Sequence, residues 1–219
     1  MLVLLPPSEG KTAPAEGEPV DLDSLAFAAE LGERREELLD ALDPQLREAS
    51  AGPAAEVYTG VLFQRLELPK LPAKARRRVL IASALWGVVR PDDRIPYYKL
   101  PPKEKLDGIG PLAKYWRPAL AEALPDREGD LIVDMRSGAY STMWKPRQAT
   151  LLPVRAFTDS DGERKAVSHM AKAVRGDVAR VLLQAKKAPA DPDAAAAIAG
   201  AAGFTVELND GTLDVIVSS

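Results

Sequence analysis

The sequence predicts a mixed α/β protein in which a mixed β-sheet is flanked by helices, and it assigns all residues, 1–219, to one domain. Two observations lead to this prediction. Short runs of aliphatic and β-branched residues alternate with longer segments whose apolar residues recur every three or four positions. No linker, internal repeat or low-complexity segment divides the chain.

Five apolar runs are predicted to be β-strands because each is short and rich in Val, Ile and Leu. They are MLVLL (1–5), RVLIA (78–82), DLIVDM (130–135), FTVEL (204–208) and LDVIV (213–217). The last two flank NDGT (209–212), whose Asp-Gly pair predicts a hairpin turn. ATLLPVRAF (149–157) is a further candidate strand, and Pro153, which has no backbone N–H, should confine it to a sheet edge or a bulge.

Helices are predicted over residues 24–50, 111–124, 164–187 and 191–202. In the third of these, valines and Met170 recur at three- and four-residue intervals and predict a buried stripe, with Lys172 and Arg175 on the opposite half. Gly176 lies in the middle of the same helix, where glycine costs about 1 kcal/mol relative to alanine. A close approach to another segment is the expected reason for glycine at this position.

Composition excludes several classes of site. The chain has no cysteine, which excludes disulfides, thiolate metal sites and thiol-based peroxide chemistry, and its single histidine, His169, excludes a site with several histidine ligands. No spaced set of acidic ligands is evident, so we expect neither a metal site nor a cofactor. The apolar run 1–5 is too short for a signal peptide or a membrane span. We therefore expect a cytoplasmic protein that does not associate with membranes.

Charge is distributed unevenly along the chain. Residues 1–60 contain 4 Lys/Arg and 13 Asp/Glu, whereas the rest of the chain contains 25 Lys/Arg and 19 Asp/Glu. Residues 69–90 hold six bases and no acid, and residues 164–187 hold seven bases and one acid. These two stretches are either solvated faces or parts of a basic surface for phosphates. The acidic overall balance argues against a dedicated nucleic-acid-binding protein.

The opening MLVLLPPSEGKT ends in Gly10-Lys11-Thr12 and so resembles the end of a nucleotide-binding P-loop. The first glycine of that motif would stand at position 5, where the chain has Leu5, and the two prolines that follow offer no N–H group to a phosphate. The residues after Thr12 are too rich in proline, glycine and acid to begin the required helix. The pattern favours a strand and a Pro-Pro turn before Lys11 over a P-loop.

Six segments, in this order, carry a resemblance to a known family. They are PPSEGKT (6–12), EVYTGVLFQRL (56–66), SALWGVVRPDDRIPYYKL (83–100), LAKYW (112–116), DMRSGAYSTMW (134–144) and AKAVRGDVAR (171–180). Together they resemble the YaaA family of peroxide stress proteins, and the block from the Trp-Gly pair to the Tyr-Lys pair is the most specific. The resemblance runs from residue 1 to about residue 183 and is weakest between residues 13 and 55.

The resemblance implies the mixed α/β fold of that family with a positively charged cleft, a role in survival under hydrogen peroxide that includes limiting free iron, and binding of duplex DNA. Carried over to the matching positions, it implies the following cleft bases: Lys11, Arg90, Lys99, Lys172 and Arg175.

Within the same blocks, Ser8, Arg136 and Ser137 are further ligand-binding candidates, while Asp134, Tyr98 and Tyr140 are candidates for catalytic proton transfer. Asp134 and Arg136 stand at the end of a predicted strand, where α/β sheets commonly open onto a ligand crevice. Three other aromatic residues of these blocks are expected to fill the core: Tyr58, Trp86 and Trp116.

One segment departs from the family pattern. DNA binding in the family is linked to a helix-hairpin-helix element before the VYTG block, and the corresponding residues here, 38–60, offer the end of one helix and a loop with Gly52-Pro53. The surrounding residues are rich in Asp and Glu, which oppose phosphate binding. The hairpin is therefore predicted to be shortened or lost. Ala139 also stands where some members have an acid before the tyrosine.

Three functional hypotheses follow. The chain is either a peroxide stress protein that binds double-stranded DNA, or an enzyme that acts on a small anionic ligand such as a nucleotide, carboxylate or phosphorylated metabolite, or a partner-binding protein that uses its acidic N-terminal helix. Graded losses over many Lys/Arg changes would indicate DNA binding, whereas a single decisive change would indicate a catalytic cleft. We expect a monomer in each case.

Overall fold

The central strands of the sheet are parallel, so the loops that follow them meet at one edge of the sheet. The candidate site lies at that edge. A computed structural model describes residues 1–136, 138–160, 163–166 and 168–217. These residues form one mixed α/β domain around an eight-stranded sheet, as the sequence predicts. The predicted Ser137 lies outside the described residues, and nothing is described of the His169 side chain.

Twelve strands and eight α-helices are found in the described residues. The strands are β1 (Leu2–Leu5), β2 (Ala51–Pro53), β3 (Val79–Ser83), β4 (Gly87–Val89), β5 (Arg94–Pro96), β6 (Lys105–Leu106), β7 (Gly110–Pro111), β8 (Leu131–Asp134), β9 (Thr150–Ser160), β10 (Glu163–Ala166), β11 (Thr205–Asn209) and β12 (Thr212–Val217). The helices are α1 (Ala28–Asp40), α2 (Gln45–Glu48), α3 (Ala54–Val57), α4 (Val61–Leu66), α5 (Ala73–Arg76), α6 (Leu112–Ala123), α7 (Ser168–Gln184) and α8 (Pro192–Ala201). Short 3-10 helices span Leu22–Ser24, Leu68–Lys70 and Gly138–Thr142.

The main sheet has the strand order β11-β12-β9-β8-β1-β3-β4, and β10 also pairs with β9. Strands β12, β9, β8, β1 and β3 are parallel, whereas β4, β10 and β11 are antiparallel to their neighbours. In the centre, Val3 pairs with Val79 on one side and with Val133 on the other. Such strands are covered on both faces, which explains why they read as continuous apolar runs in the sequence.

The buried apolar side chains form one cluster that includes Trp86 and Trp116, each with no exposed surface. The predicted core role of Tyr58 is also confirmed, since only 1% of this residue is exposed. Arg35 is an exception in this apolar interior, because it is fully buried on α1. Its guanidinium donates to the carbonyl oxygens of Ala26, Trp86 and Val88 at 2.8, 3.2 and 2.9 Å.

The prediction of one long helix over residues 24–50 is wrong. The chain instead forms a 3-10 turn, α1, the single turn α2 and then strand β2, which pairs antiparallel with β5. Helical periodicity ends at Asp40 because Pro44 follows within one turn and takes the chain into a new segment. Gly52 and Pro53 lie in β2 rather than in a hairpin between two helices, so residues 38–60 contain no helix-hairpin-helix element.

The expectation that Pro153 confines its strand to an edge or a bulge is also wrong. Strand β9 is internal: residues 150–153 pair with β8, and residues 154–158 pair with β12 on the other side. Pro153 is the last residue of the first ladder and comes directly before the second. A proline is tolerated there because the missing N–H falls where one pairing gives way to the next.

The helix predicted over residues 164–187 begins later, at Ser168, because Glu163–Ala166 form β10 and pair with the end of β9. The expected reason for Gly176 is confirmed. A Cβ atom at this position would lie 2.4 Å from the carbonyl oxygen of Leu62 and 2.8 Å from the Cβ of Arg65, both on α4. Glycine thus allows the backbones of α7 and α4 to approach each other closely.

The predicted hairpin at residues 209–212 is confirmed. Asp210 and Gly211 form the two-residue connection between β11 and β12, and both have positive φ angles, 48° and 72°. This conformation matches the twist of a tight hairpin and is accessible to an Asp-Gly pair.

Candidate functional site

The carboxyl ends of β1, β3 and β8 lie next to one another, because the three strands are parallel neighbours in the sheet. The loop that carries Lys11 follows β1, Ser83 ends β3, and Asp134 ends β8. Tyr58, Tyr98, Arg136, Tyr140 and Arg175 join them through the contacts described below. We refer to these eight residues as the carboxyl-edge site.

The loop after β1 is fixed by the segment that precedes α4. The Ser8 hydroxyl donates to the carbonyl oxygen of Gly10 and accepts the backbone N–H of Gly60 at 3.2 Å. Lys11 and Tyr58 form an isolated antiparallel backbone bridge. A Cβ on Gly60 would lie 2.7 Å from the Cβ of Ser8, so the loop can dock only against glycine. Ser8 was predicted to bind a ligand, but its hydroxyl makes hydrogen bonds that hold the loop of Lys11 in place.

The ammonium of Lys11 lies over two tyrosine rings. Its Nζ is 4.6 Å from the centre of the Tyr98 ring and 5.7 Å from that of Tyr58. Burial lowers the pKa of Lys11, while the charge of Glu9 acts in the opposite direction. In the described part of the chain, no carboxylate lies within 4.0 Å of this ammonium. Lys11 is therefore a half-buried cation whose charge is offset only by ring faces and a more distant acid.

Three buried hydroxyl groups form a chain beneath Lys11. The Tyr98 hydroxyl is 2.7 Å from that of Tyr58 and 2.7 Å from that of Ser83. Ser83 Oγ already accepts the backbone N–H groups of Leu85 at 3.2 Å and Trp86 at 3.0 Å, so it is best placed to donate its own hydrogen to Tyr98. Burial raises the pKa of both tyrosines, which keeps them protonated at neutral pH.

Asp134 and Arg136 form a buried ion pair. Arg136 Nε and Nη2 donate to the two carboxylate oxygens of Asp134 at 2.9 and 3.0 Å, and 1% of the arginine side chain is exposed. The same guanidinium donates to the carbonyl oxygens of Tyr140 at 3.0 Å and Trp144 at 2.8 Å. Arg136 therefore organises the segment that carries Tyr140, and its N–H groups are occupied by protein acceptors.

Tyr140 and Arg175 complete the site with unused donors. Burial raises the pKa of Tyr140, and Tyr98 and Glu9 act in the same direction. Burial lowers the pKa of Arg175, while the charge of Asp134 acts in the opposite direction. Arg175 Nε donates to the carbonyl oxygen of Val154 at 2.9 Å. Neither the Tyr140 hydroxyl nor the Nη groups of Arg175 make a hydrogen bond to the described residues.

Not all of the predicted cleft bases converge. Strand β4 runs back along β3, with Gly87 opposite Ser83 and Val89 opposite Ile81, so Arg90 lies toward the other end of the sheet. Its guanidinium donates to the carbonyl oxygen of Arg77 at 2.8 Å and lies 5.6 Å from the centre of the Phe27 ring. The side chains of two further predicted bases are exposed and make no contact with the site in the described chain: Lys99, next to Tyr98, and Lys172, one turn before Arg175.

Sequence reasoning did not single out Ser83, Glu9 or the polar role of Tyr58. A serine at the end of an apolar strand is a weak signal, yet it is the one that could have identified Ser83. The hydroxyl chain joins residues 58, 83 and 98, whose side chains meet only in the folded protein. Within the described residues, no group of three or more His, Cys, Asp or Glu could hold a metal ion. No helix there is long and apolar enough to cross a membrane.

Comparison with known proteins gives a consistent result. A family model described as "Peroxide stress protein YaaA" matches residues 24–207. A UPF0246 protein of Streptomyces coelicolor is 41% identical over 229 residues, which cover 88% of this chain and 86% of that protein. A UPF0246 protein of Corynebacterium efficiens is 38% identical over 248 residues, covering 99% of this chain and all of the relative. A Corynebacterium glutamicum relative is 36% identical over 95% of this chain and 96% of its own length.

Proposed function

Because the chain belongs to the YaaA family of peroxide stress proteins, we propose that it acts in the cellular response to hydrogen peroxide by binding a small anion at the carboxyl-edge site. The ligand carries a carboxylate, sulfate or phosphate group. The sections of the chain that supply the site belong to the segments that the family model matches, apart from the loop of Lys11.

One observation carries the proposal: Lys11 is a half-buried ammonium with no carboxylate within ion-pair distance among the described residues. Removing a cation from water is costly unless a counter-charge or a full set of acceptors replaces the water. The ring faces of Tyr98 and Tyr58 offset part of this cost, roughly 0.5–2 kcal/mol for such contacts. A bound anion would offset the rest and would raise the pKa of Lys11.

The unused donors support an acceptor-rich ligand. The Nη groups of Arg175 and the hydroxyl of Tyr140 have no partner among the described residues, and both side chains are half-buried. Guanidinium groups bind carboxylate and phosphate oxygens in pairs, which fixes the orientation of the ligand as well as its charge. Half-burial of three donors favours a compact anion over a long polymer that lies across a surface.

Thermal unfolding in the presence of anions tests the proposal. Sodium sulfate, pyrophosphate and pyruvate are added to the protein at constant ionic strength, with sodium chloride as the reference. At least one should raise the unfolding midpoint saturably, because a ligand that binds only the folded state stabilises it. Lys11→Met should abolish this shift, whereas Lys74→Met should retain it, since Lys74 is an exposed lysine on α5 without an ion pair in the described chain. Equal shifts in both variants would reject the site.

Duplex DNA is the second candidate ligand, and the exposure of Lys99 and Lys172 favours it, since neither has an ion pair within the described residues. Exposed cations of this kind contact phosphates and release counterions, so binding would weaken steeply with salt. Fluorescence anisotropy of a labelled duplex at about 50 and about 200 mM salt separates the two candidates. Binding that is lost at the higher salt and reduced by Lys172→Ala would favour DNA; no binding at the lower salt would leave the small anion.

A further inference from the structure

The surroundings of Lys11 suit a nucleophilic amine as well as an anion-binding cation. Its Cα is fixed by the backbone bridge to Tyr58, and its Nζ lies against two aromatic rings without a carboxylate partner in the described chain. Lys70 provides the contrast, because its ammonium is exposed and pairs with Glu67. A lysine becomes a nucleophile when its surroundings favour the free amine over the ammonium.

Two other groups of the carboxyl-edge site have the properties that condensation with a carbonyl requires. The hydroxyl of Tyr140 has no hydrogen-bond partner among the described residues, and the carbonyl of this residue is held by Arg136 just past the end of β8, the strand beside β1. The ordinary role of such a hydroxyl in this chemistry is to pass a proton to and from the carbonyl oxygen of the ligand. Arg175 presents unused Nη groups from α7, and its Nε donates to the carbonyl oxygen of Val154, which follows the β9 residue that pairs with Asp134.

We propose that Lys11 forms an imine with the carbonyl group of an oxo acid, whose carboxylate is held by Arg175. This proposal rests on the proposed anion site and assigns a class of ligand to it, a carbonyl compound that also carries a carboxylate. The site would therefore act on its ligand covalently rather than only bind it.

The step is balanced without any further reactant. The free amine of Lys11 attacks the carbonyl carbon, the N–C bond forms, and the carbonyl oxygen takes a proton from Tyr140. The nitrogen then loses a proton, which returns to the tyrosine. The C–O bond breaks as water leaves with a second proton, which replaces the one that the ammonium released to solvent on becoming the free amine. Taken from the ammonium form, one lysine and one carbonyl give one protonated imine and one water molecule. The nitrogen therefore carries the same positive charge in the protonated imine as in the starting ammonium.

The groups around the amine of Lys11 have opposing effects on its pKa. Burial lowers the pKa of Lys11 and favours the nucleophile, whereas the charge of Glu9 opposes this. The ring faces of Tyr58 and Tyr98 also favour the ammonium. The phenols of Tyr58, Tyr98 and Tyr140 are uncharged at neutral pH, because burial raises the pKa of each. Because the charge of Glu9 favours the ammonium form of Lys11, Glu9→Gln should increase the reactivity of the amine.

Trapping with a hydride donor tests the proposal. The protein is incubated with pyruvate and sodium cyanoborohydride at pH 7.5, and peptide mass mapping measures the rate at which each lysine gains the reduced pyruvyl group. Lys11 should be modified first, several-fold faster than exposed Lys74, and saturably with pyruvate. Acetone, which lacks the carboxylate, should not show this preference, and lactate, which lacks the carbonyl, should compete.

Two variants keep the outcome interpretable. Lys11→Arg retains the charge but not the nucleophile, so it should lose trapping and retain the thermal shift with sulfate. Tyr140→Phe should slow trapping several-fold and weaken that shift by a smaller factor, because it removes the proton donor together with one of the three anion donors. If sulfate stabilises the protein but lysines are modified only in proportion to their exposure, imine formation is rejected and the anion site stands. If neither response involves Lys11, both proposals fail.

Discussion

Replacing Gly176 with alanine tests the close packing of α7 against α4, which sets the position of Arg175. Gly176 has an ordinary helical backbone, and the added methyl group would come within 2.4 Å of the Leu62 carbonyl oxygen. Contacts of a real Cβ below 3.0 Å essentially never occur, so this backbone atom would have to retreat by roughly 0.6 Å. A carbonyl in a neighbouring helix cannot rotate away as the end of a flexible side chain can.

The expected magnitude combines two opposing effects. Overpacking of this kind costs about 1–3 kcal/mol, and alanine returns about 1 kcal/mol relative to glycine in a helix. Gly176→Ala should therefore change the free energy of unfolding by between zero and about −2 kcal/mol. The matched control is Gly32→Ala on α1, where no atom lies within 4 Å of the new Cβ. It should gain up to about 1 kcal/mol.

Urea denaturation followed by circular dichroism measures both variants against the parent protein. Both variants replace glycine with alanine in a helix and so gain the same helix propensity. The difference between their free energies of unfolding therefore isolates the packing cost, about 1–3 kcal/mol, which corresponds to a few degrees in the thermal unfolding midpoint. If the two variants are stabilised equally, the helices separate without cost and the close approach does not explain the glycine.

Three further predictions concern buried polar groups. Tyr98→Phe removes two hydroxyl contacts and should lower the free energy of unfolding by about 1–3 kcal/mol in urea, with little loss if the chain beneath Lys11 is unimportant. Arg35→Lys should cost about 2 kcal/mol or more in the same assay, because an ammonium cannot span three carbonyl oxygens; burial lowers the pKa of this arginine to about 10, against the charges of Asp93 and Glu30. Burial alone would raise the pKa of Asp214, but hydrogen bonds from Arg155 and its neighbours lower it overall. This carboxylate stabilises the fold above its ordinary pKa of 3.8, and the contribution is lost as pH falls through the lowered value. Asp214→Asn should therefore flatten the acid limb of stability between about pH 5 and 2, and an unchanged limb would contradict this assignment.

Much of the sheet could be predicted because its central strands are buried on both faces. Residues 1–5, 78–82 and 130–135 were expected to be strands, and β1, β3 and β8 lie within one residue of these bounds. The two- and three-residue strands could not be predicted, because they are too short to show any periodicity. Residues 163–166 were mistaken for the start of a helix, since their strand conformation depends on pairing with β9.

The residues of the candidate site likewise divide into those that the sequence could predict and those that it could not. Lys11 could be identified because it follows a strand and belongs to a matched block, and Asp134 because it ends another strand. Arg90 belongs to the most specific block, yet the turn before β4 sends it toward the amino end of β3, a direction that residue types do not encode. The partners of Tyr98 could not be predicted either, because the turns between β3 and Tyr98 and the packing of the Tyr58 segment bring them together.

The central position of β1 has a consequence for how the protein is made. Its residue Val3 needs partners at Val79 and Val133, so this strand leaves the ribosome long before its second partner does. Until residue 134 has been synthesised, one edge of this apolar strand stays open to other chains. Nascent chains that stall between β3 and β8 should therefore aggregate or recruit chaperones more readily than released chains.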